Sequence, residues 1–186
     1  MESDEILAQR IQTGDTNALA PLVKRHHSRL IGYLYRLCGD RTLAEDLTQD
    51  AFVRVIRAIH TYRYPRPFKA WLYAIATNLH RDHAKRAETH YTTIDTNTAE
   101  DVLEAPDTRP ERLFEQLTES NQVIDALMTL SDQHRTVIVL RYYELFALKD
   151  IADALDIPLG TVKSRLNNGL RYLRQRLEKD FFHDTR

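Results

Sequence analysis

The stretch LRYYELFALKDIADALDIPLGTVKSRL, residues 140–166, decides how the fold is read. It resolves into a short helix from Leu148 to Leu155, a tight turn Asp156-Ile157-Pro158-Leu159-Gly160, and a long helix from Thr161. In that last helix Val162, Leu166, Leu170, Leu173 and Leu177 recur as one apolar seam. Two helices joined by so brief a turn make a helix-turn-helix. Lys163, Arg165, Asn167, Asn168 and Arg171 lie off the seam, so the outward face carries cations and amides. Arg and Lys can fork onto guanine edges or neutralise phosphates, and Asn matches the two hydrogen-bonding groups of adenine in the major groove. The pattern predicts a duplex-DNA reader; a solvated amphipathic helix in an ordinary bundle is the competing interpretation.

Working back from this motif, Leu113, Leu117, Ile124, Leu127 and Leu130 are helically spaced, and Ser131 or Asp132 is expected to cap a helix running through Tyr143. Residues 92–111, TTIDTNTAEDVLEAPDTRPE, are rich in Thr and acids and poor in large apolar groups, which reads as a linker. Before it, three amphipathic helices are expected. Ala18–Leu37 buries Leu19, Leu22, Val23, Leu30, Ile31, Leu34 and Leu37 and stops at Gly39. The next is capped by Thr42 with Glu45 and turns Leu47, Phe52, Val55, Ile56 and Ile59 inward. After a turn at His60–Pro67, set by Pro65 and Pro67, a helix from Phe68 to about Ala87 buries Phe68, Trp71, Leu72, Ile75 and Leu79. No segment alternates as a strand does, so the expected fold is all-α, two small helical domains joined by a flexible acidic tether.

Composition agrees. Five glycines in 186 residues fall well below the usual ~7%, which disfavours turn-rich barrels and glycine-lined phosphate loops. The longest apolar run, Ala70–Ala76, is far short of the ~20 residues a bilayer span needs, so a soluble, cytoplasmic chain without membrane insertion is expected. One cysteine, Cys38, precludes an internal disulfide and argues against a cysteine-based zinc site; burial is expected for it. The eight histidines, His26-His27 and His80 with His83 among them, lack a full ligand set and are expected to be solvated or phosphate-facing. No metal, no cofactor and no catalytic constellation is expected. The net charge of −1 hides a strong partition: residues 61–91 carry a net of +4, 92–120 of −6, and 158–186 of +4. Two basic segments flanking an acidic one suit separate contacts on one polyanion.

The first basic segment interleaves Tyr62, Tyr64, Phe68, Trp71 and Tyr73 with Arg63, Arg66, Lys69, Arg81, Lys85 and Arg86. Rings that stack on bases and cations that follow the backbone are the means by which single strands are held. Core spacing offers Phe68, Trp71 and Leu72 a structural role instead.

Together these residues resemble a known family. AEDLTQDAFVRV (44–55) and FKAWLYAIATNLHRDHAKR (68–86) are similar to domain two of bacterial sigma factors, and residues 140–166 are similar to their domain four. The two in this order, with no third domain between, resemble the extracytoplasmic-function (ECF) class of the sigma-70 family. The resemblance implies domain two at 1–91, an acidic linker at 92–111 and domain four at 112–186. It implies a chain that binds core RNA polymerase and promoter DNA, is held inactive by an anti-sigma factor, and is no enzyme. The polymerase contact falls on Glu45, Asp46, Gln49 and Asp50, with Phe52 supporting them. A flipped base of the minus-ten element is expected at Tyr62, Arg63, Tyr64 and Arg66, with Trp71 and Asn78 at the pocket and Arg81, Lys85 and Arg86 on the adjacent backbone. The minus-thirty-five element is expected at Thr161, Lys163, Ser164, Arg165, Asn167, Asn168 and Arg171.

The chain departs from the family pattern at several positions. Asn168 and Leu170 stand where many relatives have Arg, and Gly169 where they have Ala, a change worth about 1 kcal/mol of helix stability. Leu145, Ala147 and Asp156 replace a glycine, a capping serine and a glycine. The Asn167-Asn168 pair is therefore expected to shift reading toward adenine. The linker acids are expected either to occupy a nucleic-acid channel of the polymerase or to act as a solvated spacer. A stand-alone helix-turn-helix regulator remains the alternative, although it leaves 44–86 without a role.

Overall fold

A computed structural model describes residues 2–90 and 121–183. Among them every regular element is helical: α1 Asp4–Gln12, a 3-10 turn Thr16–Ala18, α2 Leu19–Cys38, α3 Arg41–Ala58 and α4 Phe68–His90 in an N-terminal unit. A C-terminal unit holds α5 Asn121–Met128, α6 Asp132–Ile138 running into a π-turn Val139–Tyr143, α7 Leu148–Leu155 and α8 Leu159–His183. The all-α expectation holds. The expected linker 92–111, with Leu113 and Leu117, lies outside the described residues.

Helix ends follow local chemistry. Gly39 closes α2 in the left-handed region (φ 73°), a conformation that lacks the Cβ penalty only for glycine. The cap of α3 is Asp40, which accepts from the Leu43 backbone N–H at 3.0 Å, and not Thr42; with Gly39 turning the chain, the helix begins two residues earlier. Ser131 occupies the N-cap position of α6, but its hydroxyl pairs with His134 Nδ1 at 2.7 Å and caps nothing. Ala147 likewise gives α7 no side-chain cap, while Asp156 ends it in the left-handed region at φ 53°. Sequence periodicity overlooked α1, whose signal was present: Ser3 accepts from Ile6 N–H, and acids fill the first turn.

In the N-terminal unit α2 and α3 pack antiparallel around Leu22, Leu30, Leu34, Leu47, Phe52 and Val55, with α4 across them. Ile56 corrects the expected α3 stripe, being 47% exposed. At 100° per residue it lies about 120° from the stripe centred on Ala44, Ala51 and Val55. Helix α4 is buried on two sides. Phe68 and Leu72 face the N-terminal core, whereas Tyr73, Thr77 and His80, not part of the expected stripe, are also buried. The second covering comes from the C-terminal unit, which sequence periodicity could not anticipate.

Two backbone positions carry testable consequences. Gly169 is buried where α8 crosses α6: an added Cβ would sit 2.7 Å from Ile138 Cδ1 and 3.2 Å from His134 Cβ. Gly169→Ala would gain about 1 kcal/mol of helix propensity but overpack a site beside the fully buried Ile138, a penalty of about 1–3 kcal/mol. Thermal unfolding should show a net loss; a higher Tm would refute the close approach. Leu145 adopts φ 58° while 79% exposed. Since a left-handed residue with a Cβ is strained by about 1–2 kcal/mol, Leu145→Gly is expected to raise stability by about 1 kcal/mol.

Candidate nucleic-acid interface

The outward face of α3 carries Asp46, Gln49 and Asp50, all exposed, with Glu45 half-buried and ion-paired to Arg41 at 3.0 Å. Phe52 lies beneath, 7% exposed, stacked on His27. The same face adds two apolar residues absent from the sequence-based set, Val53 (44% exposed) and Ile56. The i, i+3, i+4 spacing of 49, 53 and 56 was the available signal. An acidic rim around an exposed apolar pair is a surface suited to a protein partner.

The loop after α3 divides its residues between core and solvent. Tyr62 is 3% exposed, its hydroxyl donating to the Arg66 carbonyl, and its ring packs on Phe68 and Trp71 at 5.8 and 5.5 Å. Burial pushes its phenol up to about 12. Gln12 holds the loop from behind by donating to the carbonyls of Ile59 and Tyr62, each at 2.8 Å. Tyr64, 55% exposed and joined to Pro65 by a cis peptide, projects outward with Arg63 and Arg66. Of the aromatic array, then, Tyr62, Phe68 and Tyr73 are core, Trp71 is half-buried against them, and Tyr64 is presented to solvent. Asn78, Lys85 and Arg86 are exposed on α4; Arg81 is partly covered.

On α8 the seam forms as expected, with Val162, Leu166 and Leu173 buried and Leu170 half-buried; Leu177 lies beyond the residues whose side chains are described. Lys163 and Asn167 are exposed one turn apart, whereas Thr161, Ser164, Arg165, Asn168 and Arg171 are intermediate. Ser164 donates to the Thr161 carbonyl at 3.1 Å, and Arg171 lies over the Tyr172 ring. The adjacent pair Asn167-Asn168 is thus split by the helix, one amide toward solvent and the other toward the flank.

Two histidines correct the solvated expectation. His26 and His80 are buried, each with Nε2 against a carboxylate: Asp4 at 2.7 Å and Asp132 at 2.8 Å. They sit on inward faces of α2 and α4, where Nε2 of each finds its acid across the packing while Nδ1 is buried without a hydrogen-bond partner; His27 and His83 are exposed. No group of three or more His, Cys, Asp or Glu that could hold a metal occurs among the described residues. Burial alone would raise the Asp132 carboxyl, but the His80 hydrogen bond and the His80, Arg135 and Arg81 charges hold it below the usual range. A lowered carboxyl stabilises above its unfolded value and loses that contribution as pH falls through the lower folded value, so this contact should persist across neutral and mildly acidic pH. Cys38 is half-buried, donating to the Asp40 carbonyl at 3.1 Å, and burial pushes its thiol up.

Among the described residues no helix is long and apolar enough to cross a membrane. Comparison with known proteins places this geometry. Residues 22–90 match the family model Sigma-70 region 2, and residues 126–175 match Sigma-70, region 4. The chain is 34% identical over 176 residues to the ECF RNA polymerase sigma factor SigW of Bacillus subtilis (strain 168), covering 91% of this chain and 94% of the relative. It is 30% identical to the RNA polymerase sigma-H factor of Pseudomonas aeruginosa, with 89% of each chain covered. A solved structure of CnrH in complex with the cytosolic domain of CnrY superposes with a TM-score of 0.71 at 25% identity, covering 96% of this chain and 99% of that one. With a region 2 fold carrying an exposed acidic-apolar helix and a cationic loop, and a region 4 helix-turn-helix carrying its outward cation and amide, the chain belongs to the ECF sigma factors of the sigma-70 family.

Proposed function

We propose that this sigma factor binds core RNA polymerase through the outward face of α3, reads the minus-ten element with the 62–66 loop and α4, and reads the minus-thirty-five element with α8. The observation that carries this is the exposure of two sets of polyanion-binding side chains on two units: Tyr64, Asn78, Lys85 and Arg86 on one, Lys163 and Asn167 on the other. In this reading Asp46, Gln49, Asp50, Val53 and Ile56 meet the polymerase, with Phe52 setting the helix from below. Tyr64 offers the exposed ring for an unstacked base, flanked by Arg63 and Arg66, while Tyr62 and Trp71 shape the wall behind it. Flipping a base costs a few kcal/mol, which stacking and a polar contact such as that of Asn78 offset only for the right base. The bond chemistry of transcription stays with the polymerase, so the chain acts by binding and strand capture, in the cytoplasm where the polymerase works. Domain limits of 1–91 and 112–186, an acidic connection at 92–111, and an anti-sigma partner covering the polymerase-facing surfaces complete the proposal. The stand-alone regulator does not account for the region 2 match over residues 22–90.

The test is transcription by core polymerase from a library of randomised promoters, with and without the protein. Starts that depend on the protein and share two spaced motifs are expected. Val53→Ser with Ile56→Ser should weaken polymerase binding about tenfold, the loss of two partly buried apolar contacts, without lowering Tm. DNA binding with no protein-dependent start would overturn the reading.

A further inference from the structure

Helix α1 lies ahead of the stretch that matches region 2, which begins at residue 22, yet it is bonded to both ends of the loop that presents Tyr64. At the loop's entry the Gln12 carboxamide nitrogen donates to the Ile59 and Tyr62 carbonyls at 2.8 Å each. At its exit the Glu5 carboxylate accepts from the Phe68 backbone N–H at 3.2 Å, a first-turn donor that has no partner within its own helix. Glu5 and Gln12 are seven residues apart. They therefore share one face of α1 to within about 20° and stand about 10 Å apart along its axis. The two ends of the loop are held at a set separation by an element that is not part of it.

Helix α1 is itself fixed from behind. Asp4 divides its carboxylate between Arg25 and His26 of α2, at 2.7 Å to each. Leu7 and Ala8 are buried, and Arg10 closes the turn after the helix on Asp15 at 2.6 Å. Within the loop the Tyr62 N–H donates to the Ile59 carbonyl and the Arg66 N–H to the Arg63 carbonyl, both at 3.0 Å. The Tyr62 hydroxyl returns to the Arg66 carbonyl. These inner bonds give the loop its shape; the bonds from α1 fix where that shape sits, with the exposed Tyr64 between the two anchored ends.

We propose that α1 is a splint for strand capture, and that Gln12 is the positioning residue that sets the Tyr64 loop before nucleic acid arrives. The proposal rests on the reading of that loop as the strand-binding element. Ligand-binding loops are drawn from the least stable parts of a fold, and a loop that must be ordered on binding loses affinity to that ordering. Gln12 acts through the Ile59 and Tyr62 carbonyls, so its effect on binding is one of pre-organisation.

The test is Gln12→Met in the full chain, which keeps side-chain length and helix propensity, leaves the charge unchanged and removes both donors. Hydrogen exchange of the Tyr62 and Arg66 amides should speed up about tenfold, with the amides of α8 unchanged. Binding of a short fluorescent single-stranded DNA pool of random sequence should weaken about tenfold, while binding of a random duplex pool holds and Tm changes little. At the other end, Glu5→Gln keeps an oxygen for the Phe68 N–H and should bind strand as the parent does; Glu5→Met should bind it more weakly and expose the Phe68 amide to exchange. Tyr64→Ala is the control that leaves the splint in place, and should weaken strand binding with exchange at Tyr62 unaltered. Unchanged exchange at Tyr62 and Arg66 in Gln12→Met overturns the proposal. So does faster exchange with undiminished strand binding when Tyr64→Ala still weakens it. If exchange responds as expected but strand binding is absent, or indifferent to Tyr64→Ala and Gln12→Met alike, Gln12 is upheld as the residue that sets the loop and the strand-binding reading is what fails.

Discussion

Phe68→Ala is expected to lower stability by about 3–5 kcal/mol, a fall in Tm of about 10 °C. Phe68 is fully buried at the first position of α4, with Tyr62, Trp71 and His26 each at 5.8 Å or closer to one another or to its ring. Its backbone N–H donates to Glu5 Oε1 at 3.2 Å, tying α4 to the first helix. Removing the ring leaves a cavity under the loop that carries Tyr64, because the Tyr62 ring then loses one of the two rings it packs on. The lesion should therefore reach function: the fluorescence of Trp71, the single tryptophan, should shift toward that of a solvated indole, and minus-ten strand binding should weaken beyond what stability alone explains. Phe68→Leu, which keeps most of the volume, should lose about 1–1.5 kcal/mol and retain strand binding. A loss under about 1 kcal/mol for Phe68→Ala would mean that the aromatic cluster does not hold the loop.

Asn167→Ala is expected to weaken binding to minus-thirty-five duplex by about 1–3 kcal/mol, on the order of 5- to 150-fold, and to erase an adenine preference at one base pair. Asn168→Ala should do less, because its side chain is half-buried on the flank while Asn167 faces outward. Lys163→Ala should act differently again, weakening all sequences evenly and reducing the slope of log K against log salt by about 1. Binding measured at several salt concentrations against a set of single-base variants separates the three. An equal loss at every base pair for Asn167→Ala would exclude it as a base reader. The adenine reading offered by the Asn167-Asn168 pair thus narrows, once the helix is built, to one outward amide.

Gly169 illustrates how local and tertiary physics diverge. On propensity alone it weakens α8, and alanine would look like an improvement. In the fold it is the point where Ile138 approaches the helix backbone, so the missing Cβ is what permits α6 and α8 to close. His26 and His80 make the same case for polar groups. Their types and spacing say only that they can titrate or ligate; the acids that pair with their Nε2 atoms, Asp4 and Asp132, are distant in sequence and reach them only through packing. Ile56 was misplaced for a simpler reason, since an apolar residue at the margin of a stripe reads as core until the stripe's centre is known.

The amino-acid sequence by itself determined the helical class, the helix-turn-helix from Leu148 onward, the basic segments on either side of an acidic one, and the family. Those properties are written in periodicity, turn residues and charge, which act over a few residues and need no knowledge of what lies across the core. The tertiary structure alone decided which aromatics near Tyr62 are structural and which is presented, why α4 carries two buried faces, and how Glu144 and Asp132 join the two units. Each of those depends on side chains some 50 to 75 residues apart meeting in one place, where burial makes an unpaired polar group costly and so selects the partner.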